Sequence, residues 1–276
     1  MSFSHAIALT ESQPGHYAGQ IAEGWDIGGN ANGGYLLALA ANGLRQHLGR
    51  PDPVSITAHY LRPGKVGPAA VHCETVKEGK RFATARATLE GPDGAVLSVL
   101  GTFGNLEDGA AGPTQVRLEP PALPAVEACF PLGSSGEGFA PSLMDRIEAR
   151  LHPEDAAFRN GQSRGIPEMR GYFRLPDEDP CSALGLLLGL DAFPPTIFNA
   201  NLPVAWTPTV ELTCHLRRRP APGWLRARFV TRVISSGFLE EDGELWDSTG
   251  QLVAQSRQLA LVPKVAAPYW VPWSSA

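Results

Sequence analysis

A stretch in the first third of this 276-residue chain returns 156 positions later in the same register. SITAHYLRPGKVGPAAVHCETV around His59 matches ELTCHLRRRPAPGWLRARFVTR around His215. At that fixed offset Thr57 falls on Thr213, Arg62 on Arg218, Gly67 on Gly223 and Thr75 on Thr231. Further on, Phe82 falls on Phe238, Leu89 on Leu245 and Gly94 on Gly250. One coincidence carries little. Eight without a gap, with hydrophobic pattern and turns in phase, indicate a duplicated unit. Each half must then be the same supersecondary unit, and the two halves must cover what one alone leaves open.

Both units run through the same order of elements. In the first, His16 to Asp26 reads as a strand, followed by the Gly/Asn cluster GGNANGG. The run from Tyr35 to Leu48 is rich in Leu and Ala and apolar nearly all round, as in a buried helix. SITAHYLR, AAVHCETVKEG, RFATARATLEG and VLSVLGTFG then read as strands broken by Gly and Pro turns, with GPDG a hairpin signal. In the second unit EMRGYFRL is the first strand and CSALGLLLGLDAF the apolar helix, ending before Pro194 and Pro195. TVELTCHLR, WLRARFVTRVIS, FLEEDGELWD and LVAQSRQLALV are its strands. This order predicts an α+β fold, an antiparallel sheet wrapped round one apolar helix. That is the hotdog arrangement, and two tandem copies make a double hotdog. Joining the units into one continuous sheet removes an exposed edge from each. The expected boundaries are residues 1–107 for the first unit, 108–141 for a Pro/Gly/Ala-rich linker and 142–276 for the second. Within the last, Met144 to Leu151 (MDRIEARL) reads as a short surface helix.

Composition narrows the function classes. The net charge is −5 and no long basic run occurs, which argues against a nucleic-acid partner. No apolar stretch reaches the roughly 18 residues of a membrane span. MSFSHAIALTESQPGH has neither a basic n-region nor an apolar h-region, so no secretion signal is visible. Cys73, Cys129, Cys181 and Cys214 are far apart and form no CxxC pair. They suit a reduced cytoplasmic chain without a metal site. Neither a G-x-S-x-G elbow nor an H-E-x-x-H helix is present.

NANGGYLLALAANGL, PDPVSITAHYLRPGKVGPA and ELWDSTGQLVAQSRQLALV resemble the acyl-CoA thioesterase II-like family of double-hotdog proteins. The resemblance runs from about Gly15 to Pro263, and its most specific pieces are H-x-LRPG and VAQSRQ. It implies hydrolysis of an acyl-CoA to free acid and CoA, with no cofactor. It also implies a water-activating trio from the second unit: an Asp on the helix, a Thr or Ser on the next strand and a Gln on the last strand. Residue by residue these are Asp191, Thr209 and Gln258, with Thr213 the alternative hydroxyl. Since residues 209, 211 and 213 of a regular strand share a face, both threonines could look into one site.

These residue types suit the chemistry. Asp191 can accept a proton from the attacking water while Thr and Gln side chains orient it. The oxyanion could be held by backbone N–H groups where a helix begins, at Asn32, Gly33 and Gly34. An Asp at the end of a buried helix opposes the helix dipole and needs compensation, which points to function for Asp191. Each candidate has a plainer reading. Asn32-Gly33-Gly34 can be an N-cap with close packing, Asp191 a cap of the following turn, Gln258 a solvent-facing strand residue, and either Thr a packing residue. His59 and His215 occupy equivalent repeat positions, which argues for a structural role. Trp25, Trp224 and Trp246 are expected to pack on the helices, and Glu240-Glu241-Asp242 to form a solvated hairpin face. Arg217, Arg218 and Arg219 offer charge for CoA phosphates but read more simply as an exposed strand end. Two other classes stay open: a non-catalytic acyl-binding or assembly module, and an enoyl-CoA hydratase. The hydratase is disfavoured because GGNANGG lacks the Asp and His of a G-D-x-N-P-x-H segment. A homodimer or higher oligomer of double-hotdog units is compatible with the fold.

Overall fold

The computed structural model describes residues 1–109, 112–133, 141–202 and 204–263. Parts of the expected linker (110–111, 134–140) and the end of the second unit (264–276) lie outside the described residues. The first unit begins with a short helix α1 (Phe3–Ala6) and strands β1 (Thr10–Gln13) and β2 (His16–Ile21). A small hairpin follows, β3 (Asp26–Ile27) and β4 (Asn30–Ala31), and leads into helix α2 (Gly33–Leu48). Four long strands complete the unit: β5 (Asp52–Tyr60), β6 (Gly67–Glu78), β7 (Ala83–Gly91) and β8 (Gly94–Gly104). The connecting segment adds two short strands, β9 (Phe130–Pro131) and β10 (Glu148–Leu151). The second unit repeats the plan with β11 (Glu168–Arg174), helix α3 (Ala183–Gly189), β12 (Thr209–Leu216), β13 (Leu225–Val230), β14 (Ile234–Ser235), β15 (Phe238–Trp246) and β16 (Leu252–Leu261).

Apart from the β3–β4 hairpin, the strands form one antiparallel sheet in the order β1-β2-β6-β7-β8-β5-β12-β16-β15-β13-β11-β10-β9, with β14 paired to β15. Read outward from its centre, β5-β8-β7-β6-β2 on one side mirrors β12-β16-β15-β13-β11 on the other. The centre falls where the repeat says it must. Thr57 and Thr213, equivalent in sequence, are directly opposed on β5 and β12, and their hydroxyls are hydrogen-bonded at 2.9 Å. An approximate two-fold axis passes between them. The chain is a double hotdog of the α+β class.

Helix α2 is buried on every side from Gly34 to Leu44, which accounts for its all-round apolar sequence. Asn32 caps it by accepting a hydrogen bond from the Tyr35 N–H at 2.9 Å, and Gly49 ends it at φ 58°. Gly28 and Gly29, at φ 62° and 79°, make the two-residue turn between β3 and β4. Both positions need positive φ, so the GGNANGG cluster is a hairpin followed by a helix cap. Trp25 stacks on Tyr35 of α2 with ring centroids 5.4 Å apart.

The units are not identical. Helix α3 has two turns where a longer helix was expected, and stops at Gly189, well before Pro194 and Pro195. Residues 190–208, with a 3-10 turn at Thr196–Asn199, replace the short link between α2 and β5. This long connection supplies one wall of the cavity described below. Two other expectations change. His16 to Asp26 is no single strand, since β2 ends at Ile21. Met144 to Leu151 is no helix: a 3-10 turn at Ser142–Asp145 is followed by β10, which extends the sheet beside β11. Its alternating exposure fits a strand better than a helical face.

Candidate active site

A cavity of about 770 Å³ lies between the two units. The first unit contributes the β3–β4 hairpin, the start of α2 and residues 60–64; the second contributes the 190–208 connection and the inner faces of β15 and β16. Its walls are largely apolar, with Leu36, Phe193, Phe198, Phe229 and Leu239 among them, as in small-molecule sites generally. Asn32, Gly33, Asp191, Thr209 and Gln258 all line it.

Asp191 sits two residues beyond the end of α3, half-buried, where the α3 C-terminus meets the α2 N-terminus. Its Oδ2 accepts hydrogen bonds from the Gly34 N–H at 2.8 Å and from Asn32 Nδ2 at 3.1 Å. Asn32 Nδ2 also donates to the Asp191 carbonyl oxygen at 2.8 Å. The unfavourable end of one helix dipole is thus compensated by the favourable end of another. Burial pushes the carboxyl up from 3.8 to about 6, against the opposing pull of the Gly34 N–H, the Asn32 amide and the Gly33 N–H. A Cβ on Gly34 would stand 2.8 Å from the Leu187 carbonyl oxygen and 2.9 Å from the Asp191 Cβ, so only glycine lets the helices approach this closely.

This arrangement alters the expectation for Asn32, Gly33 and Gly34. Their donors were offered to a substrate oxyanion, but the Gly34 N–H and the Asn32 amide are engaged by Asp191. A fixed negative charge from α3 occupies the positive end of α2 before any ligand does.

Gln258 Nε2 donates to Thr209 Oγ1, joining the two side chains on the cavity wall. Thr213 is elsewhere. The pairing of β12 with β16 slips between Thr209 and Glu211, and this bulge breaks the alternation that would have put residues 209, 211 and 213 on one face. Thr213 faces the opposite side of the sheet, bonded to Thr57 and Glu211 at the two-fold axis. The expectation of a shared face is therefore corrected.

The sequence reading passed over two polar residues at the cavity. Glu241, expected on a solvated face, lines the cavity opposite Gln258 and accepts a hydrogen bond from the Thr196 N–H at 2.8 Å. Burial raises its carboxyl from 4.5 to about 7, and the Asp191 charge adds to the rise. Its neighbour Asp242 fits the expectation better, pairing with Arg257 and Arg232 outside. Tyr60 also lines the cavity, beside Gly33 and Asp191. Strand alternation was the available signal, since Ile56, Ala58 and Tyr60 point inward while Thr57 and His59 point out.

Other candidates lie away from the cavity. His59 and His215 are exposed on the outer face of the central strands. Arg219 pairs with the buried Asp52 at 3.1 Å and with Glu107, tying the second unit to the first. Arg217 bonds Gln255 on the neighbouring strand. Trp224 departs from its expected place on a helix, packing on Tyr172 and under the Arg174 guanidinium. Among the described residues His152, Glu154 and Asp155 bring ligand atoms within 4.8 Å of one another. Arg170 and Arg164 already pair with Asp155, and Arg170 also reaches Glu154. Guanidinium charge fills the place a cation would take. No helix among the described residues is long and apolar enough to cross a membrane.

A tandem hotdog with a carboxylate and amide–hydroxyl pair on an apolar cavity between its halves defines a thioesterase-type architecture. The chain belongs to the acyl-CoA thioesterase family: residues 21–104 match the family's N-terminal domain and residues 120–262 its C-terminal domain. It is similar to an uncharacterized protein of Mycobacterium tuberculosis, 30% identical over 290 residues that cover 95% of this chain and 98% of that one. Among solved structures, a thioesterase II candidate from Thermobifida fusca is 31% identical, with a TM-score of 0.84 over 95% of this chain and 97% of that one. A hot dog protein of unknown function from Alicyclobacillus acidocaldarius has a TM-score of 0.82 at 18% identity, covering 96% of this chain and 98% of that one.

Proposed function

We propose that this chain hydrolyses acyl-CoA thioesters to a free acid and CoA, with a water activated at Asp191. The observation that carries the reading is the Asp191 carboxylate, held on the α2 N-terminus at the wall of a cavity that Thr209 and Gln258 also line. A carboxyl raised to about 6 is ionised at neutral pH yet more basic than an ordinary aspartate, as a general base requires. Water adds through oxygen to the thioester carbon and gives a proton to Asp191. The Thr209–Gln258 pair fixes the water's direction of approach. The tetrahedral intermediate then expels the thiolate, the C–S bond breaks with its electron pair on sulfur, and Asp191 returns the proton to that sulfur. The acyl chain occupies the apolar part of the cavity.

The test is release of free thiol across a series of acyl-CoA chain lengths, with Asp191→Ala run alongside. Turnover by the parent chain that falls by two orders of magnitude or more in the variant is expected, within the range of about 10²–10⁴ for a positioned base. Absence of turnover at every length would leave an acyl-binding module.

A further inference from the structure

Around Asp191 the donors are nearly all committed. The Gly34 N–H and the Asn32 amide hold Asp191, and the Tyr35 N–H is capped by Asn32. The Tyr60 hydroxyl is the exception. Its oxygen is fully buried and has no hydrogen-bond partner among the described residues. A Cβ built on Gly33 would stand 3.0 Å from that oxygen and 2.9 Å from Asp191 Oδ2. The two oxygens therefore stand close together beside Gly33, whose lack of a side chain permits the approach, and all three residues line the cavity.

A buried hydroxyl without an acceptor destabilises the fold, and Phe would fill the same volume without that cost. Of the buried donors in this state, the Tyr60 hydroxyl belongs to a residue on the cavity wall, where a ligand can supply the acceptor. Burial, with the charges of Asp191 and Glu211 nearby, holds the phenol well above its ordinary value, so it stays protonated as a donor. Resting on the hydrolase reading above, we propose that the Tyr60 hydroxyl donates to the thioester carbonyl oxygen and holds the negative charge that develops there. The reason is geometric: a water held by Asp191 and the carbon it attacks must share the space that Tyr60 borders. As the water oxygen bonds to carbon, the carbonyl π pair moves onto oxygen, where Tyr60 meets it without losing its own proton. The pair returns as the C–S bond breaks.

Tyr60→Phe removes a single oxygen and tests this directly. Expected are a fall in kcat of about 100- to 1000-fold, the scale of one oxyanion donor, a KM within twofold of the parent, and a melting temperature no lower. Affinity for the ketone analogue of acyl-CoA, in which CH2 replaces the thioester sulfur, should weaken by roughly 3- to 10-fold, as for one lost hydrogen bond. Asp191→Asn serves as the parallel arm. Tyr60→Phe retaining the parent kcat while Asp191→Asn is inactive overturns the role of Tyr60 and leaves the hydrolase reading standing. Loss of melting temperature together with activity in Tyr60→Phe also overturns it, since packing would then explain the effect. If Asp191→Asn keeps the full rate, the base assignment fails, and the ketone-analogue affinity still decides the case of Tyr60.

Discussion

Replacing Asp191 by Asn should make this protein more stable and inactive at once. The carboxyl rises from 3.8 in the unfolded chain to about 6 in the fold, chiefly through burial. At roughly 1.4 kcal/mol per unit, ionising it in the fold costs about 3 kcal/mol. Solvent in the cavity screens the half-buried group and brings the figure to roughly 1–3 kcal/mol. The sign follows from which state holds its proton longer. Below about pH 4 both states are protonated and nothing is lost. Between about 4 and 6 the unfolded chain releases the proton first, so stability falls as pH rises, and above 6 the full cost remains. Asp191→Asn keeps an oxygen for the Gly34 N–H and carries no charge, so it escapes this penalty. In a chain of this size, where 1 kcal/mol shifts the melting temperature by about 2–4 °C, the variant should melt roughly 3–10 °C higher at pH 8. The gap should narrow to about a third by pH 4.5. Thermal unfolding followed by circular dichroism from pH 4.5 to 8, paired with the thiol-release assay, reads both effects. A variant that melts lower at pH 8, or a gap that does not close on acidification, would refute the claim that Asp191 is a strained, basic carboxylate.

Further outcomes follow from the same geometry. The hydrolytic rate should climb with pH through a midpoint near the Asp191 value of about 6, because the base must be unprotonated; a flat pH–rate profile from 5 to 8 contradicts this. Thr209→Val should lower kcat by about 10-fold or more. Thr213→Val should leave the rate intact while costing roughly 0.5–1.5 kcal/mol in denaturant titrations, for its lost hydrogen bonds. The reverse pattern would put the catalytic hydroxyl on the wrong strand face. Gly34→Ala drives a Cβ against the backbone of α3. It should destabilise by roughly 1–3 kcal/mol, with a lower melting temperature and reduced turnover; wild-type stability would mean that the helix contact is loose.

The chain's periodicities were sufficient for the architecture. The repeat that opposes Thr57 to Thr213 in sequence also opposes them in space, because equivalent strands related by a two-fold axis must pair antiparallel where the axis crosses the sheet. The all-apolar run of α2 announced a buried helix, since no polar face was available for solvent. Asp191 and Gln258 stood in segments whose resemblance to a family marked them, and both line the cavity.

What the linear pattern could not hold was any relation between residues far apart. That the α2 N-terminus ends on Asp191, and so is not free for an oxyanion, depends on two helices from different units meeting end to end. One bulge separates Thr209 from Thr213, and a bulge is a slip between two strands, invisible in either alone. Glu241 reads as part of an acidic run, yet it faces the cavity while Asp242 faces solvent, because sheet faces alternate and only packing says which is inner. Sequence determined the strands, the buried helix and their duplication through local periodicity and hydrophobicity. The tertiary structure decided which donors are spent, which hydroxyl is spare and which carboxylates share the cavity. Those properties arise from through-space electrostatics and desolvation, which no local pattern encodes.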